Sequence, residues 1–399
     1  MFKLYCRMYQ SMMKVVSKLL PWKKQKLLNK VNGIQEVSEI LRKEKIHHPL
    51  FITDNTMVKL KLSNKITDQL NMYAIYSDTV ANPTTTNVME AYSIYLSKQC
   101  DGIIALGGGS VMDCAKGVAA KVVRPNKSIL KLKGLLTIRK KIPFLLAIPT
   151  TAGTGSEVTV AAVISDEETH EKYFIIDPSL TPDYAILDPN LTLTLPKHIT
   201  AETGMDALTH AIEAYIGKGG DQETNALAKK AVKKVFSNLL TCYHHPLDIQ
   251  ARGEMLLASY QAGLAFTKAY VGYVHALSHA IGGHYQLAHG YVNAIVLPYV
   301  LDYCKDAIID KLSALYDVIK PEQQLSNSEK ATSFIKEIRL LNQALNIPKH
   351  IPILDDKDFD MLIYRAYKEA HPLYPVPKIV TKKEFSHLLN QIKGREYEW

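Results

Sequence analysis

Between residues 48 and about 190, short apolar runs bounded by turn residues alternate with stretches of helical period. The clearest runs are 49-PLFIT-53, 73-YAIYS-77, 102-GIIAL-106 and 143-PFLLAIP-149. Runs of this length, separated by helical patterns, predict parallel βαβ units. After Pro196 apolar residues recur with a period of 3.6 from Thr200 to the end and no convincing strand run remains, so the second half reads as all-helical. The predicted division is an N-terminal helix over 1–25, an α/β domain over 26–195 and an all-α domain over 196–399. The boundary near 189–197 lacks a Gly- or Ser-rich linker, which predicts a tight hinge with the site between the halves.

Within the first 20 residues Tyr5, Met8, Met12, Val15 and Leu19 recur in steps of three and four, while Lys3, Arg7, Lys14 and Lys18 fall roughly opposite; Pro21 ends the pattern. This is a basic amphipathic helix. It suits packing on its own enzyme or on a subunit neighbour, and also peripheral contact with an anionic membrane. The net charge of +9 changes meaning once located: residues 1–35 hold eight bases and no acid, leaving 40 bases against 39 acids in the remainder. A nearly neutral body gives no electrostatic footprint for nucleic acid. Neither a spanning segment nor a secretory signal is evident, and the expected location is cytoplasmic. Five scattered cysteines at no zinc or redox spacing are expected as buried thiols.

The segment 107-GGGSVMD-113 lies between the run 102-GIIAL-106 and the helical stretch 114-CAKGVAAKVV-123. A strand, glycine turn and helix start in that order offer backbone amides to a phosphate at the positive end of a helix. Gly107, Gly108, Gly109 and Ser110 are candidates, although the spacing is not GxGxxG. Ser110 and Asp113 also fit a capping box. A second polar loop, 149-PTTAGTGSE-157, follows the next strand and adds Thr150, Thr151 and Ser156. Asp54, at the end of the first run, could accept from an adenosine ribose and repel a 2′-phosphate, favouring NAD over NADP, or could cap the next helix.

In the second half, 202-ETGMDALTHAIEAYI-216 puts Asp206 and His210 four apart on one helix face, and 272-GYVHALSHAIGGHYQLAHG-290 holds His275, His279, His284 and His289. Five histidines in two short windows point to a metal. Imidazoles with one carboxylate suit Fe(II), Zn(II) or another divalent transition metal and disfavour Mg(II) and Ca(II). The absence of cysteine from the set suggests a catalytic rather than a structural ion.

With 82-NPTTTNV-88, these segments resemble the iron-containing (group III) alcohol dehydrogenases, which include butanol, 1,3-propanediol and lactaldehyde dehydrogenases; the resemblance runs from about residue 30 to the C-terminus. It implies a Rossmann-like NAD-binding domain followed by a helical metal domain, in a dehydroquinate-synthase-like architecture. It implies metal ligands at Asp206, His210, His275 and His289, and His279 beside the nicotinamide as a proton relay or orienting group. Phe266 would line the substrate pocket. Cofactor contacts would come from Asp54, the Gly107–Ser110 loop, Asp113, Thr150, Thr151, Ser156 and Lys172, whose ammonium would face a ribose. The expected activity is interconversion of a small primary alcohol and its aldehyde by hydride transfer with NAD(H), in a homo-oligomer, first a dimer. A glycerol dehydrogenase, a dehydroquinate-synthase-like lyase and a membrane-docked scaffold with a vestigial site are the alternatives. Three features depart from the family pattern: Ala288 where many members carry proline, 290-GYVNA-294 in place of a small-residue run, and Glu202, a candidate helix cap, partner of the ligands or surface residue.

Overall fold

The computed structural model describes residues 1–167 and 172–395, and the chain divides into two compact units. The first comprises Pro21–Leu195 together with Leu247–Tyr260. Its strands are β1 (Lys26–Asn29), β2 (Pro49–Ile52), β3 (Ala74–Tyr76), β4 (Gly102–Gly107), β5 (Gly134–Leu135), β6 (Phe144–Pro149), β7 (Ala161–Ser165), β8 (Lys172–Ile176) and β9 (Tyr184–Leu187). Six form a wholly parallel sheet in the order β1-β9-β6-β4-β2-β3. The remaining three form a small mixed sheet, β5-β8-β7, which the four runs singled out in the sequence do not include.

The register explains why the central runs are continuously apolar. Leu50, Ile52, Ile103, Ala105, Leu145 and Ala147 face one core; Phe51, Ile104, Leu106, Leu146, Ile148 and Ile186 face the other. A strand covered on both faces has no polar side to show. The helix Gly109–Val123 packs on the first face through Val111, Ala115 and Val118. In-register pairing of Gly107 with Pro149 ends β4 and β6 side by side, so the loops that follow them are neighbours.

The second unit comprises Met1–Leu20, Pro196–Pro246 and the chain from Gln261 onward. The N-terminal helix Phe2–Leu19 therefore belongs to the helical unit, and residues 247–260, which the sequence assigned to the helical half, group with the sheet. No strand occurs after β9 among the described residues, and no described helix is long and apolar enough to cross a membrane. All five cysteines are buried thiols.

Two side chains repair the ends and interior of helices that frame the site. Lys311 Nζ donates to Tyr215 O, Ile216 O and Gly217 O at the C-terminus of the helix Lys197–Ile216, where unpaired carbonyls and the helix dipole favour a cation. Pro298, inside the helix His289–Cys304, has no N–H for Ala294 O four residues earlier. The buried Asn342 Nδ2 donates to that oxygen at 2.6 Å, which restores the lost bond.

Candidate functional site

Asp206 and His210 lie on the buried face of the helix Lys197–Ile216, His275 is in the third position of the helix Tyr273–Tyr285, and His289 opens the helix His289–Cys304. One ligand atom from each of the four lies within 4.8 Å of all the others. From Asp206 Oδ1 the distances are 3.6 Å to His210 Nδ1, 3.9 Å to His275 Nε2 and 3.5 Å to His289 Nε2. Donors arranged around an ion at about 2.0–2.2 Å stand roughly 3.3–3.6 Å apart; two of the three Asp206 distances meet that range and the wider separations need only small side-chain shifts to close on one first-row divalent ion. Burial pushes the Asp206 carboxyl above its ordinary pKa despite the nearby His210 and Asn293. A cation among these donors removes that cost.

Glu213, seven residues beyond Asp206 on the same face, was not singled out in the sequence. Its carboxylate accepts from Gly272 N at 2.7 Å, Val274 N at 2.8 Å and His275 Nδ1 at 2.6 Å. The bond fixes the His275 proton on Nδ1 and leaves the Nε2 lone pair directed toward Asp206, the usual second tether of a metal-binding imidazole. Burial and the neighbouring imidazoles hold His275 well below its ordinary pKa, so it is neutral. Burial pushes Glu213 up to about 7 in spite of its three donors. Gly272 is required here, because a Cβ would stand 2.6 Å from Glu213 Oε1.

Asn293, also unforeseen, is fully buried one turn after His289. Its Nδ2 donates to Asp206 Oδ1 at 2.8 Å and lies 3.0 Å from His289 Nε2 and 3.4 Å from His275 Nε2. The GYVNA segment thus places an amide among the four donors. Phe266 lies flat on the His210 imidazole, with ring centroids 4.2 Å apart at 16°.

The two other histidines of the cluster have carboxylate partners. His279 Nδ1 bonds Glu369 Oε1 at 2.7 Å, which also accepts from Tyr374 Oη, and the His279 ring stacks on His289 with centroids 4.8 Å apart. His284 Nε2 is 3.1 Å from Asp358 Oδ2. Glu202 is no helix cap, because its helix begins at Lys197; burial pushes its carboxyl up, and its carbonyl abuts Gly290. Ala288 holds φ −60° and ψ 133°, a backbone that proline adopts without change, and among the described residues its N–H donates no main-chain bond. Ala288→Pro is therefore expected to stabilise the fold by about 0.4–1 kcal/mol through the unfolded chain, with metal content unchanged. Denaturant unfolding of the two proteins checks this, and a loss of stability would refute it.

In the sheet unit the two polar loops meet. Thr150 N donates to Gly107 O at 2.9 Å. A Cβ at Gly107 would reach Val111 at 2.5 Å, and one at Gly109 would reach Thr154 at 2.7 Å, so both positions exclude a side chain. Gly108, Gly109, Ser110 and Thr151 form a partly exposed rim, and Thr150 lies buried behind it. The expected capping box is not formed: the helix N-cap is Gly108, without a side-chain bond. Ser110 Oγ accepts from Asn82 N, and Asp113 accepts from Ser156 Oγ at 2.7 Å and Val163 N at 3.1 Å. Asp113 thus braces the second loop from within. Asp54 caps the helix Asn55–Lys59 by accepting from Thr56 N and Met57 N, and Lys172 Nζ donates to Asn82 Oδ1 at 2.7 Å.

Behind these loops Lys116 is wholly buried and donates to Ser156 Oγ, Thr159 Oγ1 and Ala161 O, all at 2.9–3.0 Å. Burial lowers its pKa to about 8, and burial raises that of the neighbouring Glu157 to about 7 from 4.5. An acid whose pKa rises on folding contributes full stability below pH 4.5, and that stability is lost as the pH climbs to about 7. Glu157→Gln cannot ionise. It is expected to exceed the parent by on the order of 2 kcal/mol at pH 8 and to match it near pH 4; thermal unfolding at both pH values checks this, and equal stability at pH 8 would contradict it.

Comparison with known proteins follows the same division. Residues 25–189 match the family model "Iron-containing alcohol dehydrogenase", and residues 200–392 match "Fe-containing alcohol dehydrogenase family, C-terminal". A 1,3-propanediol dehydrogenase of Klebsiella pneumoniae is 35% identical over 321 residues, covering 80% of this chain and 82% of that one. Among solved structures, a 1,3-propanediol oxidoreductase superposes with a TM-score of 0.89 at 32% identity, over 93% of this chain and 99% of that one. The sulfoacetaldehyde reductase of Bifidobacterium kashiwanohense, solved in complex with NAD+, superposes with a TM-score of 0.84 at 26% identity, over 94% and 99%. With both family models in order along one chain, and this identity sustained over most of a relative's length, the protein belongs to the iron-containing alcohol dehydrogenase family.

Proposed function

We propose that this metal-dependent alcohol dehydrogenase interconverts a small primary alcohol and its aldehyde, with NAD(H) as hydride carrier and divalent iron held by Asp206, His210, His275 and His289. The buried four-donor cluster carries the reading. When bound, the ion would supply Lewis acidity for the alcohol oxygen and the nicotinamide an acceptor for hydride. Glu213 fixes the tautomer of His275, and Phe266 packs against His210 to hold the ring plane. The glycine turn offers amides to the pyrophosphate, with Thr150, Thr151 and Ser156 beside it and Lys172 toward a ribose. The carboxylate of Asp54, at the end of β2, favours NAD over NADP by repelling a 2′-phosphate. A small substrate agrees with relatives named for 1,3-propanediol and sulfoacetaldehyde.

His279, held by Glu369 and stacked on His289, passes the alcohol proton onward. His279→Ala is expected to lower turnover by about 10²–10⁴-fold with metal content intact. Normal turnover at every pH would remove the relay role. The overall reading is tested by metal analysis of protein purified without oxygen, followed by NADH formation over primary alcohols of increasing chain length. Protein without metal, or metal-loaded protein that forms no NADH with any of them, would overturn it.

A further inference from the structure

The helix Phe2–Leu19 is docked by its polar side. Arg7 donates to Val376 O at 2.6 Å and Pro377 O at 2.8 Å, Gln10 to Pro372 O and Tyr374 O, and Lys14 to Lys218 O and Gly220 O. Phe2 stacks on Tyr367, and Cys6 is completely buried. These contacts fix the rotation of the helix about its axis. The row formed by Leu4, Tyr5, Met8, Met12, Val15 and Leu19 consequently faces outward, each side chain between 53 and 80% exposed. A continuous outward apolar row on an otherwise anchored helix marks an interaction surface.

Charge identifies what covers it. The helix holds Lys3, Arg7, Lys14 and Lys18 and no acid. The guanidinium of Arg7 and the ammonium of Lys14 meet carbonyl and amide oxygens, which leave their charge uncompensated, and among the described residues neither pairs with a carboxylate. Lys218 is exposed beside them, and Lys311, within the field of Lys14 and Lys218, donates to carbonyls and, among the described residues, pairs with no carboxylate. Arg7 and Lys14, two turns apart, form one flank of the apolar row. A second copy of the chain would bring the same cations against these with no acid on the helix to offset them. An anionic surface supplies the missing charge and an apolar layer together. We propose that this helix is an interfacial element that lays its outward apolar row into the surface of a bilayer containing anionic lipid, with Lys14 and Lys218 on its flank at the headgroups and the charge of Arg7 behind them.

The full chain should co-sediment with phosphatidylcholine vesicles that contain phosphatidylglycerol, and not with phosphatidylcholine alone, and high salt should release it. The double variant Met8→Glu, Met12→Glu should partition at least about tenfold more weakly while keeping its metal and its NADH formation, which shows that it folds. No binding to the phosphatidylglycerol vesicles, or equal binding by the variant, would overturn the proposal. So would lipid-free light scattering that finds the parent a dimer and the variant a monomer, because the row would then be covered by a second copy.

Discussion

His275→Ala is expected to abolish metal retention and turnover together. Three features of this position make the loss severe. His275 is almost fully buried, its Nε2 lies 3.9 Å from Asp206 Oδ1, and its Nδ1 is tied to Glu213 at 2.6 Å. Loss of an outer partner alone typically costs about 10–100-fold in metal affinity; loss of a donor costs more. Without the ion, turnover should fall at least about a thousandfold, matching the several kcal/mol that a Lewis acid contributes. The fold should persist, since Glu213 keeps Gly272 N and Val274 N as donors. Metal analysis, circular dichroism and NADH formation on one preparation make the check, with His279→Ala as the variant that should keep its metal. A His275→Ala protein that stays loaded and active would refute the ligand assignment.

What the sequence could and could not disclose follows from the range of each signal. β2, β4 and β6 were legible because burial on both faces leaves a local, unbroken apolar run. Asp206 and His210 were legible because four residues on a helix is itself a geometry. His289 was not separable from His279 and His284 by residue type. What separates them in space is Glu369 and Asp358, carboxylates 90 and 74 positions further along the chain from their histidines, which engage the two rivals. Glu213 and Asn293 went unseen for the same reason, their partners being fixed only by tertiary packing, although the i+7 spacing of Glu213 from Asp206 was a usable hint. Lys116 offered another hint, as the one cation within the apolar stretch 114–120 of its helix. For the N-terminal helix, periodicity revealed two faces and could not say which turns inward. The carbonyls of residues 372–377 decide it by accepting from Arg7 and Gln10.

Gly290→Ala is expected to be the most disruptive single methyl in the site. Its Cβ would stand 2.2 Å from the carbonyl oxygen of Glu202, 2.8 Å from that carbonyl carbon and 3.3 Å from Asp206 Cβ. The first two are main-chain atoms of the helix Lys197–Ile216 and a Cβ does not move with its rotamer, so no rotamer relieves the clash. The helix that begins at His289 must instead move by on the order of 1 Å, and overpacking of this kind costs about 1–3 kcal/mol or more. The displacement falls between Asp206 and His289, whose donors are 3.5 Å apart, and a site of this type tolerates only about 0.5 Å. Metal content should fall with turnover, and the melting temperature should drop by about 2–4 °C per kcal/mol lost. The drop should persist in chelator, which separates steric strain from the lost ion. Gly283 supplies the contrast: it lies within the helix Tyr273–Tyr285, and a Cβ there meets nothing within 4 Å. Gly283→Ala should therefore keep its metal and gain roughly 0.5–1 kcal/mol, and a Gly290→Ala protein that behaves like it would show that the close approach at Glu202 is not what sets the site.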